Sequence, residues 1–166
     1  MNYFRVSLIG TGGYGESVVI QMGTNNWMVV DSCIDPISKE SVPLQYLKSQ
    51  GVNIASDVKL IVCSHWHNDH ILGIDKLFEE CKSASLAFAI TSDKKKFLEF
   101  IGLDSRKDKV LTGTSSTNIM SNCLEIAKNR KTPVKTVVQD RLLLNLKDDK
   151  HDIKVFALSP SDDMIA

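Results

Sequence analysis

The sequence predicts an α/β protein of mixed sheets covered by helices, and three observations point that way. Residues 1–31 are rich in β-branched residues and broken by glycine-containing turns. Helical spacing replaces that pattern at Ser41. From there, short apolar runs alternate with amphipathic segments, with no internal repeat, low-complexity tract or long linker. At 166 residues, 43% hydrophobic and 24% charged, the chain suits one soluble globular domain over residues 1–166.

The elements follow in order. Tyr3 to Ile9 alternates as a strand and runs into Gly10-Thr11-Gly12-Gly13-Tyr14-Gly15. Ser17 to Met22 reads as a second strand, Gly23-Thr24-Asn25-Asn26 as a turn, and Trp27 to Asp31 as a third strand. So short a connection predicts an antiparallel hairpin. Ser41 is placed to cap a helix, with Pro43 in its first turn, Leu44 and Leu47 on one face, and Gly51 at its end. Val58 to Cys63 is a short apolar strand, buried on both faces by this reading. Ile71 to Cys81 reads as a helix with Leu77 and Phe78 inward, and Leu86 to Ile90 as a strand. Ser92 caps a helix carrying Phe97, Leu98 and Ile101, and Ser116 or Thr117 opens another through Ala127. Val134 to Val138, Leu142 to Leu146 and Ile153 to Leu158 are expected strands, the last two joined around Asp148-Asp149-Lys150. Ser161 caps a final helix with Asp162 and Asp163 as first-turn acids.

Lysine plus arginine equal aspartate plus glutamate at 20 each, so composition alone points to no polyanionic partner, although a local patch survives a neutral sum. Met1 to Arg5 lacks the basic stretch and apolar run of a signal peptide, and the longest apolar runs are too short to cross a bilayer. The expectation is a cytoplasmic protein with no membrane partner. Cys33, Cys63, Cys81 and Cys123 are widely spread, without a C-x-x-C pair, and read as buried, reduced thiols.

The chemistry concentrates in Ser64-His65-Trp66-His67-Asn68-Asp69-His70, which holds three of the chain's 4 histidines. Histidine and carboxylate form a natural ligand set for zinc, manganese or iron. His65 and His67, two apart in an extended segment, point to one side. Asp69 and His70 follow where the chain turns into a helix and can aim at a second position nearby. Two ions a few ångströms apart can share a water and polarise a substrate oxygen. The competing reading is a cluster of surface histidines or half of a structural zinc site. Structural sites favour cysteine, and only Cys63 is close. A second rival lies upstream, where Gly10, Gly12 and Gly15 spell G-x-G-x-x-G after a strand, with Asp31 downstream. It fails on the next element: β-branched Val18-Val19-Ile20 stands where a helix must begin.

Ser64 to Gly73 resembles the H-x-H-x-D-H motif, with its trailing glycine, of the metallo-β-lactamase superfamily. Gly13-Tyr14-Gly15-Glu16-Ser17 is similar to the G-x-G-[DE]-[AS] turn that opens some members, and Trp27 to Ser32 to the strand that follows. The resemblance covers roughly the first half of the chain. It implies an αββα sandwich, incomplete here at the carboxyl end, with metal ligands at one edge of the sheets. His65 and His67 would bind a first ion; Asp69, also the candidate catalytic residue, and His70 would bind a second. The ions would be Zn2+, one or two, or Mn2+. Asp31 would support the metal loop without touching an ion, its alternative role being a strand-end turn cap.

A full site of this family uses further residues: a later histidine, a bridging aspartate and a final histidine. His151 reads as a surface residue, and Ser159 stands where many members place the third histidine. The expectation is a truncated or split product whose unfinished second sheet invites a carboxyl-terminal fragment or self-association. The implied activity is attack of a metal-bound hydroxide on an ester-type bond. The Gly-x-Gly-Glu-Ser opening and Leu158-Ser159-Pro160 most resemble nuclease-like domains of DNA-uptake competence proteins, which favours a phosphodiester or nucleic-acid substrate. Lys94-Lys95-Lys96 and Lys128, Arg130, Lys131 and Lys135 could meet a phosphate backbone, although a solvated helix face is the commoner fate of such runs. The alternatives are a non-catalytic interaction module and a hydrolase of a small thioester, lactone or lactam.

Overall fold

β-Branched residues on both sides of the first glycine turn build a hairpin. In the computed structural model, which describes residues 4–10, 13, 15–65, 67–89, 115–147 and 152–161, β1 (Phe4–Gly10) pairs antiparallel with β2 (Glu16–Met22) from Phe4 opposite Met22 to Gly10 opposite Glu16. β2 pairs antiparallel with β3 (Trp27–Val30), Val18 opposite Val30. The expected hairpin is present, and a strand rather than a helix follows Gly15, which removes the dinucleotide-binding reading. β3 stops at Val30 because Asp31 takes φ 60 and leaves the ladder.

Parallel pairing continues the sheet through β4 (Val58–Cys63), β5 (Ser85–Phe88) and β6 (Val134–Thr136), giving the order β1-β2-β3-β4-β5-β6. β4 lies inside this sheet and, apart from Lys59, is buried throughout, as an apolar run without polar alternation requires. A second, two-stranded sheet pairs β7 (Leu142–Lys147) with β8 (Asp152–Phe156).

The helices are α1 (Val42–Ser49), α2 (Ile54–Asp57), α3 (Asn68–Ile71), α4 (Ile74–Glu80) and α5 (Ser116–Arg130). Three depart from the sequence expectation for local reasons. Ser41 precedes α1 but does not cap it with its side chain; its buried hydroxyl lies 3.3 Å from that of Ser32. The helix expected over Ile71 to Cys81 is divided into α3 and α4 by Gly73 at φ 79. A Cβ there would meet Ile34 Cγ2 at 2.9 Å and Ser41 Cβ at 3.2 Å, so only glycine fits. α5 is capped by Ser115, whose hydroxyl accepts from the Asn118 N–H at 3.2 Å, and it runs past Ala127 to Arg130. Ile90, Lys94-Lys95-Lys96, the expected helix after Ser92, Asp148 to His151, and Asp162 and Asp163 lie outside the described residues.

Two cores flank the six-stranded sheet. On one face Leu44 and Leu47 of α1, Ile74, Leu77 and Phe78 of α4, and Ile119, Met120 and Cys123 of α5 pack on Val29, Ile61 and Leu86. On the other, Leu143 and Leu144 of β7 pack on Met22, Met28, Leu60 and Val62. Helices, large sheet and small sheet thus form three successive layers. The strand register puts Phe4, Val6 and Leu8 opposite Met22, Ile20 and Val18, on the second face, yet these three are 69%, 55% and 70% exposed. Among the described residues, the small sheet leaves that end of the large one uncovered. Among the described residues no helix is long and apolar enough to cross a membrane.

Candidate metal centre

The centre forms where β3 and β4, adjacent and parallel, both end. Beyond Val30 the Asp31 N–H still donates to the Val62 carbonyl of β4 at 2.8 Å, so Asp31 stays beside the chain that leaves Cys63. Its positive φ then swings the side chain over that exit. Oδ1 accepts from the Ser64 N–H at 2.7 Å and Oδ2 from the Ser64 hydroxyl at 2.6 Å. His70 Nδ1 lies 2.9 Å from Oδ2 and donates to it. One residue on, the Ser32 N–H donates to the His70 carbonyl at 2.8 Å. The end of β3 therefore holds both the start and the end of the histidine loop.

Those bonds favour one tautomer of each neutral ring. The Ser64 proton goes to the Asp31 carboxylate, the shorter and charged partner, so the Ser64 oxygen is left to accept from His65 Nδ1 at 3.0 Å. In their neutral forms His65 and His70 use Nδ1 as the donor, so that Nε2 is the acceptor of each ring. His70 Nε2 sits 3.3 Å from Asp69 Oδ2. With His70 neutral, the two atoms are both acceptors at that distance, and a cation between them would reconcile them. The residues present thus fit a divalent metal ion by the chemistry of the donor set.

The structure brings all four candidate residues together. The His65 and His70 rings lie 3.7 Å apart between centroids, and His67 meets His65 edge-on at 5.2 Å. His67 and Asp69 are exposed, and His65 and His70 half-buried. Ligand atoms of Asp31, His65 and His70 lie within 4.8 Å of one another, but the Asp31 carboxylate is already filled by Ser64 and His70. Its two oxygens thus hold Ser64 and the His70 ring in place. Ser159 is exposed. His151 falls outside the described residues.

The cysteines stand apart from this chemistry. All four are buried, and none is in a disulfide. Cys63 donates its S–H to the His65 carbonyl at 3.1 Å, and burial together with the Asp31 charge pushes its thiol far above the usual range. Burial likewise raises Cys81 to about 12 and Cys123 well above normal. Of the basic residues near α5, Lys128 and Lys131 are exposed, but the other two face inward. Arg130 donates to the carbonyls of Phe78, Glu79 and Cys81 at 2.7, 2.6 and 3.4 Å, and Lys135 to that of Leu143.

The sequence reading missed Ser64, which joins Asp31 to His65, and the part Ser17 plays behind Asp31. A polar residue just after the apolar run Leu60 to Cys63 was the available signal for Ser64. Ser17 carried only its place in the opening motif, which does not show what its hydroxyl holds.

Comparison with known proteins agrees with this picture. The family model "Metallo-beta-lactamase superfamily" matches residues 10–137. Among solved structures, the metallo-beta-lactamase SMB-1 in complex with mercaptoacetic acid is similar at TM-score 0.50 and 18% identity, over 92% of this chain and 49% of that one. The Rm3 metallo-beta-lactamase is 28% identical over 51% of this chain and 29% of its own, at TM-score 0.40. The hydrolase AbOPH of the beta lactamase superfamily is 20% identical over 73% of this chain and 42% of its own, at TM-score 0.41. This chain therefore spans less than half the length of each of these three structures. No curated protein matches it. The family match spans most of the chain, and it includes the hairpin, the β3–β4 pair and the histidine loop just described: the chain belongs to the metallo-β-lactamase superfamily.

Proposed function

We propose that the chain provides the metal-holding half-site of a metal-dependent hydrolase that cleaves an ester-type bond, with a phosphodiester as the favoured substrate. One observation carries this reading: Ser64 and Asp31 engage Nδ1 of His65 and His70 respectively, and His70 Nε2 lies 3.3 Å from Asp69 Oδ2. His65, His67, Asp69 and His70 would hold one or two ions, zinc or manganese, with Asp31 orienting His70. A bound divalent ion acts as a Lewis acid and lowers the pKa of water from ~16 towards ~7. The chain's own residues supply the frame for that chemistry. Asp31, with its side chain 11% exposed, fixes the loop, whereas Asp69, at 60%, is the carboxylate open to an incoming water or substrate.

The resemblance of the first turn to nuclease-like domains supports a phosphodiester. The inward-facing Arg130 and Lys135 favour the second reading, a small thioester, lactone or lactam, which needs no basic flank. Side-by-side assays of bis-p-nitrophenyl phosphate and a small thioester after zinc or manganese loading discriminate. Turnover of the diester, lost in Asp69→Ala, supports the first reading, and of the thioester alone the second. A metal-loaded chain that hydrolyses neither is an interaction module.

A further inference from the structure

Asp31 stands at the hub of the loop, yet its own backbone conformation needs a cause. At φ 60 it occupies the left-handed region, which non-glycine residues seldom adopt, aspartate more readily than most. Leaving the ladder also takes its carbonyl away from any strand N–H, and Asp31 is only 8% exposed. A buried carbonyl without a donor is costly.

Ser17 supplies the donor. Its side chain is buried at 1% exposure in β2, and its hydroxyl donates to the Asp31 carbonyl at 2.9 Å, with a longer contact to the Val30 carbonyl at 3.3 Å. The Val18–Val30 pair ends the β2–β3 ladder, so Ser17 sits one residue beyond it. The side-chain hydroxyl takes the place of the backbone bond the ladder can no longer make.

We propose that Ser17 is a positioning residue of the metal centre: by holding the Asp31 carbonyl it fixes the left-handed turn that aims the Asp31 carboxylate at Ser64 and His70. This rests on the metal-site reading above and extends it by one step away from the ion. The tie belongs to this chain's serine; a relative with alanine at the same place in the motif would lack it.

Three variants test it: Ser17→Ala, Ser17→Thr, which keeps the hydroxyl, and Ser7→Ala as control. Ser7→Ala removes a comparable hydroxyl bond, 2.7 Å to Tyr46, from the neighbouring strand. Two readouts are taken below the melting temperature. Zinc affinity is measured by calorimetric titration, and the His70 Nδ1 proton is followed by nitrogen-resolved NMR of the metal-free chain. Ser17→Ala should bind zinc about tenfold more weakly, in line with loss of a support behind a ligand. It should also lose the slowly exchanging Nδ1 proton. Ser17→Thr should recover part of both, and Ser7→Ala should change neither. Wild-type affinity and an intact Nδ1 proton in Ser17→Ala would overturn the proposal while leaving the metal site standing. If the wild-type chain binds no zinc, the metal reading fails, and the Nδ1 proton alone decides whether Ser17 fixes Asp31.

Discussion

Gly15 and Asp69 are in backbone contact across the fold: a Cβ on Gly15 would lie 2.3 Å from the Asp69 carbonyl oxygen and 3.0 Å from Cys33 Cβ. Gly15, just before β2, thus lies directly under the metal loop at Asp69. Gly15 also sits at φ 114, which side chains rarely allow. Gly15→Ala should lower stability by about 2 kcal/mol or more and displace Asp69, weakening zinc uptake at temperatures where the chain stays folded. Urea unfolding and metal titration check both; wild-type values in each would refute the contact.

Arg130 should prove a structural residue and not a phosphate contact. Its guanidinium binds three carbonyls at the end of α4 and lies 4.9 Å from the centroid of Phe78. Arg130→Met should cost about 1–3 kcal/mol in chemical denaturation. Arg130→Lys should rescue little, since an ammonium lacks the fork. Neither should alter the salt dependence of any single-stranded DNA binding, which would shift if Arg130 met phosphates.

Alkaline pH should destabilise the chain through its thiols. Cys81 is raised from 9.0 to about 12 by burial, with Cys63 and Cys123 also raised. Above about pH 9 the unfolded thiols lose protons that the folded ones keep, so the folded state binds more protons and stability falls as pH rises. The slope reaches about 1.4 kcal/mol per pH unit for each such thiol. The contribution is fully present below pH 9 and is lost through the folded pKa. Cys81→Ala should flatten the decline in denaturant midpoints between pH 9 and 11, and an unchanged slope would contradict the assignment.

The uncovered strip Phe4, Val6 and Leu8 should make the chain self-associate, and its hydrolysis should be weak. Val6→Thr with Leu8→Glu should reduce the sedimenting oligomer and dye binding by exposed apolar surface. Turnover of bis-p-nitrophenyl phosphate should lie orders of magnitude below that of a complete two-metal hydrolase, because Ser159 offers no imidazole. Brisk turnover abolished by Asp69→Ala would contradict this.

The sequence disclosed the hairpin, the buried β4 and the four clustered candidates, because each is a local pattern: β-branched runs between turn residues, an unbroken apolar run, and close-set histidines. It did not disclose the break at Gly73, since a lone glycine inside an apolar-periodic segment is tolerated by many helices; here Ile34 and Ser41, distant in sequence, make it a boundary. Nor did it disclose the Ser17–Asp31–Ser64 connection, whose members meet only after three strands have paired. The inward turn of Arg130 and Lys135 is equally a tertiary fact.

The most direct test of the metal centre is the zinc content of the purified chain after equilibrium dialysis, beside His67→Ala and a His65→Ala/His67→Ala double variant. The account predicts at least one zinc per wild-type chain, a sharp reduction in the single variant and near-complete loss in the double. Equal zinc in all three would contradict it.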